Sequence, residues 1–116
     1  MSIKTNNGYG VVEYSDEVIA NIAGAATVEC YGVVGMASYR ATDGLWELLK
    51  KENLSKGIKI TTDGEEVLID LYIIVEYGTK IPVIANNIIQ KVKYTVEGLT
   101  GIHISKVTVY IQDVRV

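Results

Sequence analysis

The chain has 116 residues, enough for one domain with a buried core. Hydrophobic residues make up 48% and charged residues 22%, and the mean hydropathy is +0.21, which excludes a disordered polymer. The net charge of -3 and the pI near 5.1 argue against phosphate binding, which needs clustered Lys and Arg, and a lone Cys30 excludes an intrachain disulfide and fits a reducing cytoplasm.

Residues 1–8 read as a loose polar tail with no apolar signal segment. Tyr9 to Tyr14 reads as a short strand. Ser15 is a good N-cap, Asp16 and Glu17 suit the first turn, and Val18, Ile19, Ile22, Ala23 and Ala26 recur at helical spacing, so a helix is expected over 16–29. Its small residues, Ala20 to Ala26, would let a neighbour approach closely. Gly32 ends that helix and Val33 to Arg40 reads as a strand. Asp43 is expected to cap a short helix holding Leu45, Trp46, Leu48 and Leu49.

Ile58 to Thr62 alternates as a strand, and Asp63-Gly64 is a two-residue hairpin signal. Val67 to Tyr77 is the longest strand, with an apolar face at its odd positions and a mixed one at its even positions. Pro82 fits the first turn of a long helix whose stripe is Ile81, Ile84, Ala85, Ile88, Ile89, Val92, Val96 and Leu99. Gly98 and Gly101 end it, and Ile102 to Val114 is the last strand. No apolar run approaches the ~20 residues that span a bilayer.

The expected fold is α+β: a two-layer domain over 9–116, with a mixed sheet and helices packed on one face. The strand–helix–strand unit at the end should be parallel. The other sheet face would carry Lys59, Thr61, Tyr72, Glu76, Thr108, Tyr110 and Gln112. That composition suits solvent or a partner. Tyr72 and Tyr110 are the candidate interaction centre, with Glu76 and Lys59 as a polar rim.

Chemistry is sparse. His103 has no second histidine or thiol cluster beside it, so no metal site is expected. Asp63, Glu65 and Glu66 lack calcium-loop spacing, and Asp70 and Glu76 have no sugar cleft announced around them. Gly32-Val33-Val34-Gly35 formally matches the G-x-x-G clamp of single-strand nucleic-acid modules, but without cationic help. No Walker or dinucleotide motif is present, and no cofactor or catalytic residue is expected.

Several pieces in order carry a resemblance: Gly10 to Ile19, Ala25-Ala26, Gly32-Val33-Val34-Gly35-Met36, Lys56 to Ile60, Val75 to Gly78, and Glu97 to Gly101. Together they resemble the alkaline shock protein family, the envelope stress response proteins of low-GC Gram-positive bacteria, of the short YloU-like kind. The resemblance spans Gly8 to Val114. It implies a non-enzymatic cytoplasmic protein of cell-envelope homeostasis that self-associates, or is held at the membrane by a separate anchoring protein. The implied partner is therefore a protein or a second copy, with nucleic acid not expected. The alternative is a small binding module, using Gly32 to Gly35 for nucleic acid or a gap between helices and sheet for a lipid-like ligand.

Overall fold

The computed structural model describes residues 2–40, 45–48 and 51–116. Its first element corrects the sequence reading. Instead of a loose tail over 1–8, β1 (Ser2–Asn6) pairs antiparallel with β2 (Val11–Ser15), with Ile3 opposite Tyr14. Ile3 is 8% exposed and belongs to the core. The turn is held locally, because the Asn6 and Asn7 side chains accept from the Gly8 and Tyr9 amides at 3.0 Å. One apolar residue in a polar run gives no periodicity, so the strand is hidden in the sequence.

The helix α1 (Asp16–Val28) starts as expected: Ser15 Oγ accepts from the Val18 amide at 3.3 Å, followed by two acidic residues. Ile19, Ala23 and Ala26 face the core. The neighbour that its small residues admit lies within the chain. A Cβ on Gly24 would stand 3.0 Å from Leu54 Cβ, in the 3-10 segment Lys51–Gly57. The strand β3 (Val33–Arg40) is present, and β4 (Leu45–Leu48) pairs with it antiparallel. The short helix expected around Leu45 to Leu48 is therefore a strand. Its cap Asp43 and its residues Leu49 and Lys50 lie outside the described residues, and Lys51, where it was expected to end, opens the 3-10 segment.

The hairpin of β5 (Ile58–Asp63) and β6 (Glu66–Glu76) closes on the Asp63–Glu66 pair. The loop is Gly64-Glu65, one residue on from the expected pair, with Gly64 at φ +63°. The long helix α2 (Ile81–Thr100) has Pro82 in its first turn and Gly101 as a left-handed cap whose amide donates to the Glu97 carbonyl. Glu97 then accepts from the Ile104 amide at 2.9 Å, and Thr100 Oγ1 accepts from the Ile102 amide at 3.1 Å. These bonds hold 101–105 as coil, so β7 (Lys106–Arg115) begins later than its hydrophobicity suggests.

The strand β6 is the centre of a five-stranded sheet. Along one edge, β5 pairs its first half and β3 its second half, both antiparallel. Along the other edge β7 runs parallel, as the strand–helix–strand unit requires. Val67, Ile69, Leu71, Ile73 and Val75 turn one face into a core against Ile84, Ile88, Val92 and Val96 of α2 and Ile19 and Ala23 of α1. The molecule is α+β, with a mixed main sheet and its helices on one face.

Candidate interaction surface

The face opposite the helices is built in rows by strand register. Thr61, Leu68 and Lys106 make one row, and Lys59, Asp70 and Thr108 the next. Tyr72 and Tyr110 follow as a directly paired row. Their rings stack with centroids 4.8 Å apart and planes 10° from parallel. Beyond them come Gly35, Ile74 and Asp113, then Glu76 and Arg115. The face is thus aromatic at its centre and charged at both ends. Tyr110 is 41% exposed, Tyr72 is half-buried, and Lys59 and Glu76 are exposed.

The four residues expected to share a face do share it, though not at one point. Lys59 lies across from Asp70, two residues before Tyr72 on β6, and Glu76 lies four residues after. Two neighbours were not foreseen. The β6–β7 register shifts between Ile73 and Ile74, so Asp113 and Arg115, not Gln112, continue the face past Tyr110. Arg115 Nε donates to Asp113 Oδ2 at 3.1 Å. Regular alternation carries no sign of such a bulge. Ile74 also departs from the mixed face expected of it: it is fully buried, beside Gly35, over which Leu48 lies.

The segment Gly32 to Met36 is not an open loop. Gly32 sits in a turn at φ +85°, where an added Cβ would come 2.4 Å from Ile84 Cδ1. Val33, Val34, Gly35 and Met36 are strand residues. Gly35 pairs with Ile74, and Met36 is fully buried opposite Ile73. The glycine spacing that matched G-x-x-G serves packing, and the nucleic-acid alternative loses its loop.

The chemistry-bearing residues are dispersed. His103 Nδ1 lies 3.1 Å from Glu97 Oε2 on the surface. Cys30 is half-buried with Sγ 3.5 Å from the Ala26 carbonyl, and burial pushes its thiol pKa up, away from thiolate reactivity. Across the two helices, Lys91 Nζ meets Glu29 Oε2 at 2.9 Å. The lysine's hydrogen bond and charge hold the Glu29 carboxyl below its usual range, and Glu29 raises Lys91 in return. Beside this pair is an open hollow of about 400 Å³ lined by Asn21, Ile22, Ala25, Ala26, Glu29, Thr95 and Leu99. It opens between α1 and α2, not between helices and sheet. Among the described residues no group of three His, Cys, Asp or Glu side chains is placed to hold a metal, and no helix is long and apolar enough to cross a membrane.

Residues 4–116 match the model of the alkaline shock protein 23 family, described as having a cell envelope-related function. The chain belongs to the alkaline shock protein family. Within that family it is similar to YloU of Bacillus subtilis (strain 168), with 51% identity over all of this chain and 98% of that one. It is also similar to Spy1614 of Streptococcus pyogenes serotype M6, at 38% over all of this chain and 97% of that one. A stress response regulator gls24 homolog of Streptococcus pyogenes serotype M3 is 26% identical over 91% of this chain, which spans 59% of that relative. The fold has a solved likeness in MamM-CTD. One such structure superposes with a TM-score of 0.51 at 17% identity, covering 85% of this chain and 98% of that one, which shows the fold alone. The function of the chain is therefore cell envelope-related, with stress response regulator homologues among its relatives.

Proposed function

We propose that the chain is a non-catalytic interaction module of the envelope stress response, which acts in the cytoplasm by binding a second copy or a membrane-anchoring protein through its outer sheet face. The observation that carries this reading is the stacked Tyr72–Tyr110 pair, central on a face whose Lys59, Glu76 and Tyr110 are exposed. Tyrosine gives a large rigid contact area at a small entropy cost, and its hydroxyl tolerates both water and burial. Charged groups at both ends of the face, Lys59 and Asp70 at one and Glu76, Arg115 and Asp113 at the other, would set orientation more than affinity. The regulator homologues support a non-catalytic role.

The test is the double substitution Tyr72→Lys/Tyr110→Lys. The fold should survive, because lysine can lie along the sheet and reach water, with loss of the ring stack costing about 1 kcal/mol. Self-association by light scattering, and capture of membrane-fraction proteins by the immobilised chain, should both fall sharply, since two ammonium groups would be buried. Unchanged mass and capture with an intact circular dichroism spectrum would place the interface elsewhere.

A further inference from the structure

We propose that the outer edge of β7 pairs with β7 of a second copy, antiparallel about a two-fold axis at Val109, joining two sheets into one. This goes beyond the tyrosine-face reading, since it concerns the sheet's edge and its backbone groups. Among the described residues, β7 is paired with β6 alone. Natural edge strands are blunted by charge or proline, yet Val107 to Gln112 contains neither. A six-residue run of this kind at an open edge is a template for another strand.

The backbone directions follow from two hydrogen bonds. The Glu76 amide donates to the Gly32 carbonyl at 2.9 Å, and the Tyr77 amide donates to the Arg115 carbonyl at 2.8 Å. Odd residues of β6 therefore aim their N–H and C=O groups at β7, and even ones at β3 and β5. In a parallel pair the residue opposite an inward-aimed one is aimed away. Lys106, Thr108 and Tyr110 thus bond to β6, while Val107, Val109 and Ile111 present theirs to the open edge.

Charge and side-chain facing then select the register. With Val109 facing Val109, the outward-aimed Val107 meets Ile111, and both carry side chains on the core face. Thr108 meets Tyr110 on the tyrosine face. Lys106 falls beside the Gln112–Asp113 bulge, so its ammonium can join the Asp113–Arg115 pair of the other copy. Centring on Tyr110 would instead set Lys106 against Val114, with no such complement. In the selected register the two Tyr72–Tyr110 stacks flank the axis on one face, each Tyr110 opposite Thr108 of the other copy. The strand pairing is short, so association should be concentration-dependent and not permanent.

Hydrogen exchange followed by NMR decides it. Between about 10 µM and about 1 mM protein, exchange of the Val107, Val109 and Ile111 amides should slow on the order of tenfold or more, while that of Thr108 and Tyr110 should hardly change. Equal rates for the three outward amides at both concentrations would overturn the proposal, even if light scattering shows self-association through the tyrosine face. The register has its own check. Lys106→Asp should weaken the concentration-dependent protection, and Lys106→Asp/Asp113→Lys should restore it. Protection untouched by Lys106→Asp would overturn the axis at Val109.

Discussion

Gly32 and Gly35 lie three residues apart and are glycine for different reasons. At Gly32 the backbone is left-handed, φ +85°, and a Cβ would collide with Ile84 Cδ1 at 2.4 Å and Cγ1 at 2.9 Å. Ile84 is 2% exposed and fixed in the core, so neither side can give way. At Gly35 the obstacle is Leu48 Cδ1 at 2.7 Å, the free end of a side chain that is 41% exposed. Gly32→Ala should therefore cost about 2–4 kcal/mol, strain and overpacking together, whereas Gly35→Ala should cost about 1 kcal/mol or less. Urea denaturation of the two variants measures both, and equal costs would refute the distinction. In the sequence the two glycines look like one motif, because spacing does not reveal what stands above each Cα.

At the scale of elements, α2 was the most legible. Its apolar residues recur so regularly that Ile84, Ile88, Val92 and Val96 are all buried on one face, and only Leu99, 69% exposed, departs from the stripe. Ile88→Asp would place an unpaired carboxylate among fully buried side chains. It should cost several kcal/mol, enough to unfold a domain of ordinary stability, and a normal thermal melt would show the face to be misassigned. The Glu29–Lys91 pair joins α1 to α2 and makes a pH prediction. The folded Glu29 pKa is lowered, so its contribution is present above the unfolded carboxylate value and lost as pH falls through the folded one. The folded Lys91 pKa is raised, so its contribution is present below the unfolded ammonium value and lost as pH rises through the folded one. Glu29→Gln should lower the melting temperature slightly at neutral pH, and the difference should shrink as the pH falls below the ordinary carboxylate range. A gap of constant size across that range would mean that the pair does not act through charge. The elements that were misread, β1 and β4, are short strands whose partner supplies most of their reason to exist. Neither has enough residues for a period to show.

For the whole molecule, the N-terminal hairpin is part of the core's closure. Tyr14 Oη donates to the Thr100 carbonyl at 3.0 Å, tying β2 to the end of α2, and Ile3 fills the space beside it on β1. Ile3→Ala should destabilise the domain by about 2–4 kcal/mol, and removing residues 1–7 by at least as much. Thermal melts unaffected by either change would return that segment to the status of a tail. The outer face was the part of the candidate site legible from sequence. Strand alternation placed Tyr72 and Tyr110 on it, and the parallel crossover made their strands neighbours. The ring stack needed the register, in which these two residues fall directly opposite one another.

The sequence by itself determined the family, the α+β class, the two helices and the sheet's apolar and mixed faces, because each rests on local periodicity or on residues in a fixed order. Tertiary structure alone decided that Gly32 and Gly35 are packing residues, that a bulge carries Asp113 and Arg115 onto the tyrosine face, and that Val107, Val109 and Ile111 aim their backbone groups away from β6. Those features depend on which atoms of distant segments meet and on which way a hydrogen bond points. Neither leaves a repeating trace along the chain.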